Sequence, residues 1–177
     1  MHRLFIGLRL PPPIREQLLD LSTGVAGARW QDEDQLHVTL RFIGEVDRRV
    51  AEDVADVLAT VRAPALTLRL DGVGQFDSGG RVNALWAGIA PREPITALHR
   101  KIDAALVRLG LAPERRAYLP HVTVARLNRS AGPTAPWSAQ HAGLSSAPFA
   151  LEHFTLFESH LLAGSAHYEA IMRYLLH

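Results

Sequence analysis

Two copies of one tetrapeptide pattern stand far apart in the chain, His37-Val38-Thr39-Leu40 and His121-Val122-Thr123-Val124. Each copy opens a short apolar segment of the kind that forms a buried strand. Because residues two apart in a strand point to the same side of the sheet, each histidine shares a side with its own threonine. Two such strands brought together would gather two imidazoles and two hydroxyls around one point.

This set of side chains suits a reaction in which one proton is removed and another is delivered. Histidine has an unperturbed pKa near 6.5, so one imidazole can be neutral and the other protonated near pH 7. Hydroxyls on rigid strands supply fixed donors for an anion held between the two rings. A lone strand histidine is most often structural, but repetition of the whole unit in two apolar strands argues for function.

Length and composition describe an ordinary globular protein. The 177 residues have the length of one domain, 1-177, and 47% are hydrophobic and 21% charged. A net charge of +1 provides no strong field toward nucleic acid. The absence of cysteine excludes disulfides and thiolate chemistry, and it fits a cytoplasmic protein. The first apolar run, Leu4 to Leu10, is too short to span a membrane, so we expect no membrane association.

Hydrophobic periodicity predicts alternating strands and helices. Strands are predicted at 3–10, 36–44, 66–70, 81–90, 121–127, 149–162 and 167–176, and helices at 14–21, 47–62 and 94–109. The segment 128–148 is rich in Ala, Ser, Gly and Pro and is predicted to be a loop or flap. Both halves of the chain run strand, helix, His-x-Thr strand. This order predicts an α+β fold of two pseudo-symmetric lobes, with antiparallel-rich sheets flanking a central cleft and helices outside.

The surroundings of the two motifs extend the pattern. The segments 37–44 and 120–126 resemble the paired motifs of the 2H phosphoesterase superfamily. More narrowly, they resemble the bacterial and archaeal RNA 2′,3′-cyclic phosphodiesterases, formerly described as 2′-5′ RNA ligases. The segments 3–8, 29–30, 72–76 and 85–86 are also similar to that family.

The resemblance implies a metal-independent phosphodiesterase that needs no cofactor. Its partners would be RNA ends or nucleotides bearing a 2′,3′-cyclic phosphate. It implies that His37 is the proton donor and His121 the proton acceptor, while Thr39 and Thr123 hydrogen-bond the phosphoryl oxygens. The 3′ oxygen would leave, giving a 2′-phosphomonoester. We expect the protein to act as a monomer.

Three further side chains are candidates for contact with substrate. Arg126 has a guanidinium fork for phosphate, although strict alternation turns it away from the second motif unless a bulge or strand end intervenes. Arg41 shares strand parity with the first motif and either reaches the cleft, forms a salt bridge or ends in solvent. Tyr118 is a candidate for stacking on a base, whereas Trp30 and Phe42 are expected in the core.

Other functions remain open on the residues alone. A zinc site could be built on His37 and His121, although no Asp, Glu or Cys stands at ligand spacing beside either residue. A non-catalytic module could use the cleft to bind RNA or phosphate. RNA ligation could run as the reverse reaction, although water at about 55 M favours hydrolysis, because the same groups serve both directions.

The motif predicts unequal losses of activity on substitution. His37→Ala or His121→Ala should each lower turnover about 10²- to 10⁴-fold while the fold survives, since a general acid or base contributes that much. Thr39→Ala or Thr123→Ala should cost about 10- to 10³-fold, as for one charge-stabilising donor. Single-turnover assays measure these losses, with His160→Ala as the matched control. Near-normal turnover by a folded His121→Ala variant would contradict the acid–base assignment.

Overall fold

The computed structural model describes all 177 residues and contains nine strands and four helices. The strands are β1 (His2–Arg9), β2 (Arg29–Trp30), β3 (His37–Val46), β4 (Leu66–Ser78), β5 (Arg81–Ala90), β6 (His121–Arg126), β7 (Phe149–Leu151), β8 (His153–Leu162) and β9 (Ser165–Leu175). The helices are α1 (Pro12–Leu19), α2 (Arg48–Leu58), α3 (Arg92–Leu109) and α4 (Ala135–His141). None of the four combines the length and the apolar character that crossing a membrane requires.

The strands form one antiparallel sheet in the order β7-β4-β5-β6-β3-β1-β8-β9, with β2 paired to β6. The first four strands in this order belong to one lobe and the last four to the other. The lobes meet where β3 pairs with β6, at Val38 opposite Val122. The order β1-α1-β3 in the first half of the chain recurs as β5-α3-β6 in the second. The predicted α+β class, with two pseudo-symmetric lobes of antiparallel strands, is confirmed.

The helices pack their apolar faces against the sheet. The buried stripe of α3 consists of Ile95, Leu98, Ile102, Ala105 and Leu106. Their spacing of three and four residues brings them onto one face of the helix. The helix ends at Gly110, whose φ of 109° lies in the left-handed region that glycine adopts readily. At the start of α2 the Asp47 side chain accepts a hydrogen bond from the Val50 N–H at 2.9 Å, which caps the helix.

A bulge interrupts β3 directly after its threonine. Gly7 of β1 is paired with Thr39, but the preceding Ile6 is paired with Arg41, so Leu40 is an extra residue on β3. An extra residue shifts the alternation of side chains by one position. Side chains beyond the bulge therefore point to the opposite face from the one that simple parity assigns.

The second motif strand has a bulge at the equivalent position. Trp86 of β5 is paired with Thr123, but Leu85 is paired with Ala125, which leaves Val124 as the extra residue on β6. The tetrapeptide repeat is thus accompanied by a repeat of backbone irregularity. Each bulge comes directly after the threonine of a His-x-Thr unit, so the side chains that follow point to the opposite face from the one that alternation assigns.

The segment predicted as a loop, 128–148, contains α4. The helix is anchored by Trp137, which is 1% exposed and donates its indole N–H to the carbonyl oxygen of Leu21 at 2.9 Å. A helix of seven residues is too short to produce a readable periodicity, and a single aromatic side chain supplies most of its burial. The loop prediction is therefore wrong for Ala135–His141.

Two predicted strands have different bounds in the structure. The strand predicted at 149–162 is divided at Glu152, since β7 pairs with β4 in one lobe and β8 pairs with β1 in the other. The strand predicted at 66–70 continues to Ser78. Gly72 lies where the pairing of β4 with β5 is irregular, and its φ is positive. For this reason the glycines of this segment resembled a turn in the sequence.

Gly88 of β5 is paired with His121, so it lies next to the second motif. Because it has no side chain, the backbone of β4 can come close to β5 at this point. A Cβ atom at Gly88 would collide with the backbone oxygen of Asp71. Gly88→Ala should lower the free energy of unfolding by about 1–3 kcal/mol, as overpacking does. Gly143→Ala is the matched control, since nothing lies within 4 Å of a Cβ at that position. Urea denaturation measures both changes, and equal effects would refute the steric argument.

Candidate active site

His37 begins β3, and its imidazole is held at both nitrogens. Nδ1 donates a hydrogen bond to the carbonyl oxygen of Gln35 at 2.8 Å, and Nε2 lies 2.9 Å from Oγ1 of Thr39. Because a carbonyl can only accept, Nδ1 carries a proton and Nε2 is the nitrogen that can exchange one. The rings of Phe5 and Tyr168 pack against the imidazole, with centroids 4.9 and 5.3 Å away.

His121 begins β6 and repeats this arrangement. Its Nδ1 donates to the carbonyl oxygen of Leu119 at 2.7 Å, again two residues before the histidine. Phe76 and Trp86 pack against the ring, with centroids 4.9 and 5.9 Å away. Both histidines therefore have the same tautomer, enforced by the same local backbone contact, and both leave Nε2 for chemistry.

The pairing of β3 with β6 brings the two motifs together. Val38 lies opposite Val122 in an antiparallel register. Extending that register by one residue in each direction sets each histidine opposite the threonine of the other motif. The two valines point into the core, where both are fully buried, so the four polar side chains share the other face. The structure thus gathers the two imidazoles and two hydroxyls on one side of the line along which β3 and β6 pair, here called the seam.

Burial lowers the pKa of both histidines. For His37 the loss of water around the ring outweighs the hydrogen bond to Gln35, which favours the protonated form, and the pKa falls to about 4. The positive charges of His121, Arg126 and Arg9 lower it further. Burial likewise lowers the pKa of His121, and the charge of Arg126 acts in the same direction. Both rings are therefore neutral at pH 7 in the ligand-free protein.

Arg126 faces the cleft because of the bulge at Val124. Strict alternation would have turned it away, and the extra residue returns it to the face of His121 and Thr123. Its guanidinium forms no salt bridge, whereas six other arginines of the chain do. An unpaired guanidinium beside two histidines and two hydroxyls is suited to hold a phosphate.

Arg41 follows the bulge at Leu40, and its guanidinium is held by other protein groups although the residue is part of the cleft lining. Its Nε donates to Oδ1 of Asp103 at 2.8 Å, and its two terminal nitrogens donate to the carbonyl oxygens of Phe42 and Ala112. The residue is only 7% exposed. Arg41 thus forms the salt bridge that was one of its predicted outcomes, while contact with substrate stays a prediction because the residue also lines the cleft.

Tyr118 is hydrogen-bonded to the backbone of the first motif. Its hydroxyl donates to the carbonyl oxygen of Thr39 at 2.8 Å, and burial raises its pKa, which keeps the hydroxyl protonated. One face of the ring stacks on His99 at a centroid distance of 4.1 Å, and Nδ1 of His99 donates to the carbonyl oxygen of Leu40 at 2.6 Å. Tyr118 therefore supports the backbone of β3, although its edge also lines the cleft.

The sequence pattern missed two residues of this support, His99 and Asp103. Both lie on α3, and His99 stands beside Leu98 in its buried stripe. A histidine at a core-facing position of an amphipathic helix was the available signal, since a buried polar group needs a partner. Asp103 accepts hydrogen bonds from Arg41 and from the Glu114 N–H, and these lower its pKa although burial alone would raise it.

The cleft beside the second motif has a volume of about 840 Å³. Its walls are aromatic and polar, and they include Phe42, Phe76, Asp77, Asn83 and Arg116. Phe42 is 46% exposed, so its predicted place in the core is wrong, because the bulge at Leu40 precedes it and reverses the face to which it points. Trp30 packs against the core beside Trp137, as predicted.

No group of three or more His, Cys, Asp or Glu side chains is arranged to hold a metal ion. The zinc site considered on sequence grounds would have two histidines, and a stable zinc site takes three or four protein ligands. The donor set at the seam is instead rich in hydrogen-bond donors and positive charge, which suits an oxyanion.

Two joined antiparallel lobes, each contributing one His-x-Thr unit to a shared seam, define a class of paired-histidine phosphoesterase folds. Residues 10–161 match the family model of the 2′-5′ RNA ligase superfamily, and the chain belongs to this family. The family thus named is the one that the two motifs resemble.

Known proteins resemble the chain in sequence and in structure. The RNA 2′,3′-cyclic phosphodiesterase of Aeropyrum pernix is 34% identical over 106 residues, which cover 59% of this chain and 60% of that protein. The protein of the same name from Escherichia coli K12 is 29% identical over 184 residues, covering 99% and 97%. The crystal structure of E. coli LigT complexed with 3′-AMP superposes with a TM-score of 0.81 at 28% identity, covering 99% of this chain and 98% of that one.

The lowered histidine pKa values predict a loss of stability in acid. Because His37 has a pKa of about 4 when folded and 6.5 as its ordinary value, the unfolded chain binds more protons between these limits. The free energy of unfolding should fall as the pH falls from 6.5 to 4, on the order of 2–3 kcal/mol for this residue at about 1.4 kcal/mol per pKa unit. Urea titrations of wild type and His37→Gln measure the difference. An equal decline in both proteins would contradict the shift.

Proposed function

We propose that the protein hydrolyses the 2′,3′-cyclic phosphate of RNA ends or nucleotides to a 2′-phosphomonoester, without a metal ion. The observation that carries this proposal is the pairing of Val38 with Val122 between β3 and β6. Continued by one residue each way, this register sets each histidine opposite the threonine of the other motif. A phosphate between the rings would meet one imidazole on each side, as in-line displacement requires.

His37 and His121 are proposed as the acid and the base. His121 removes a proton from the attacking water, and His37 protonates the ribose oxygen that leaves. Thr39, Thr123 and Arg126 hold the non-bridging oxygens, on which charge develops in the transition state. The fixed Nδ1 contacts support these roles, because they keep the same nitrogen of each ring directed to the phosphate.

His37 must take up a proton from the solvent when the substrate binds. The pKa of this ring is about 4 in the ligand-free protein, so it is neutral at pH 7. A cyclic phosphate carries one negative charge, and an anion beside an imidazole raises its pKa. We therefore expect kcat/KM, which reports the free enzyme, to be bell-shaped with limbs displaced to the acid side of 6.5, and kcat to have a higher optimum.

The choice of leaving oxygen rests on the family and not on these residues. Ribose could be seated in either direction across the seam, and the family resemblance favours departure of the 3′ oxygen. The curated relatives from A. pernix and E. coli are both named RNA 2′,3′-cyclic phosphodiesterase, which supports the same substrate class for this chain. E. coli LigT has been crystallised with 3′-AMP, which supports a nucleotide as occupant of the cleft.

Two competing functions use the same cleft. A binding module would hold phosphate through Thr39, Thr123 and Arg126 but would not need the two fixed imidazoles. Ligation would run the same proton transfers in reverse, and water at about 55 M favours hydrolysis. We further propose that residues 1-177 act as one bilobal domain and a cytoplasmic monomer, which size-exclusion chromatography and cell fractionation would test.

The first test identifies the product. The protein is incubated with adenosine 2′,3′-cyclic phosphate in excess chelator, and the product is identified by phosphorus NMR. Adenosine 2′-monophosphate is expected, and inhibition by chelator would overturn metal independence. Binding without any product would favour the module, whereas a 3′-monophosphate would reverse the seating of ribose while leaving the acid–base proposal intact.

A second test separates the acid from the base. In a cyclic substrate with sulfur in place of the 3′ bridging oxygen, the leaving thiolate has a pKa near 8.5 and needs little protonation. His37→Gln should therefore recover about 10²-fold or more of its lost rate on this substrate, while His121→Gln should not. Single-turnover kinetics with both substrates measures the recovery. Rescue of His121→Gln alone would exchange the two roles.

A further inference from the structure

A second cavity, of about 620 Å³, lies at the end of β1. Its lining includes three arginines, Arg9, Arg15 and Arg173, drawn from β1, α1 and β9. The only acidic residue in the lining is Glu152. Three arginines against one acidic residue in the lining favour an anion, although Asp34 and Glu33 lie near two of the arginines, and nothing in the proposed chemistry at the seam uses this cavity.

The cavity lies next to the first motif on the same side of the sheet. Arg9 is the residue paired with His37 across β1 and β3, and partners in an antiparallel pair are about 5 Å apart at their Cα atoms. Phe157 lines the cavity, and its ring centroid lies 6.2 Å from that of His37. A Cβ on Gly7 would contact both of these rings, so this face of β1 is the face of the catalytic seam.

The arginines are available to a ligand. Arg173 is exposed on β9 and forms no salt bridge, and its guanidinium lies 3.3 Å from Nδ1 of His153. Arg9 has one long contact of 3.4 Å to Asp34 and is 45% exposed, so the pair contributes little.

Arg15 differs from the other two because it is largely buried. Its side chain is 12% exposed, and one terminal nitrogen lies 3.5 Å from Glu33. Its Nε is buried without any hydrogen-bond partner. A buried donor without a partner is costly, so the Arg15 side chain has hydrogen-bonding capacity that its protein neighbours leave unused.

We propose that this cavity binds the phosphodiester on the 5′ side of the reacting nucleotide, so that the protein recognises the end of an RNA chain and not only a cyclic mononucleotide. The inference rests on the proposed function, because it names the second phosphate of that substrate. Guanidinium groups from three separate elements bind a phosphate through its oxygens and carry no preference for the base.

Three substrates test the second phosphate. These are adenosine 2′,3′-cyclic phosphate, the same compound with a 5′-phosphate, and the dinucleotide ApA ending in a cyclic phosphate. Wild type should show kcat/KM about 10- to 100-fold higher for both compounds that carry the extra phosphate, the size of a charged hydrogen bond. An advantage for the dinucleotide alone would mean that the added nucleoside, and not the phosphate, is recognised, and would overturn the proposal.

Variants locate the effect. Arg173→Gln and Arg15→Gln should reduce the advantage of the extra phosphate to a few-fold, with circular dichroism to confirm that each variant is folded. Arg108→Gln, an exposed arginine at the end of α3, is the matched control and should keep the full advantage. Retention of the advantage in both cavity variants would overturn the proposal.

Binding measurements separate failure of this inference from failure of the proposed function. If wild type hydrolyses none of the three substrates, the proposed function fails. Calorimetry with adenosine 2′,5′-bisphosphate and adenosine 2′-monophosphate then tests the cavity alone. Tighter binding of the bisphosphate, lost in Arg173→Gln, supports the second phosphate site, and equal affinities refute it.

Discussion

The short contact between β3 and β6 is the constraint on which the rest of the molecule depends. One pair, Val38 opposite Val122, joins the two halves of the sheet, and both valines are fully buried. A slip of one residue would turn the polar side chains into the core, and a slip of two would separate each histidine from the threonine opposite it. Apolar packing under the seam therefore fixes the chemistry above it.

The bulges after each motif create a second demand, since an unpaired carbonyl in a sheet needs another donor. Behind the first motif, Tyr118 donates to Thr39 and His99 donates to Leu40. Behind the second, the backbone N–H of Gln31 donates to the carbonyl oxygen of Val124 at 2.9 Å. These hydrogen bonds stabilise β3 and β6 where the bulges interrupt their backbone hydrogen bonding to neighbouring strands.

Much of the site was readable in the sequence because it obeys the period of a strand. The His-x-Thr repeat specified both the residues and their shared face, and the apolar runs specified the elements around them. The faces to which Arg41 and Arg126 point were harder to predict, because a bulge reverses the alternation of side chains. The bulged residues, Leu40 and Val124, are ordinary strand residues that do not reveal a bulge in the sequence. Contacts such as His99 with Leu40 join residues 59 apart, and only tertiary packing brings them together.

The exchange of hydrogen bonds between the halves makes the two motif strands depend on each other. The donors behind the first motif, Tyr118 and His99, come from the second half of the chain, and the Gln31 donor behind the second motif comes from the first half. The carbonyl groups at the two bulges are thus each satisfied from the opposite half of the chain. A single half on its own would leave the carbonyl oxygen at its bulge without this donor, so each motif strand keeps its shape only when both halves are folded together.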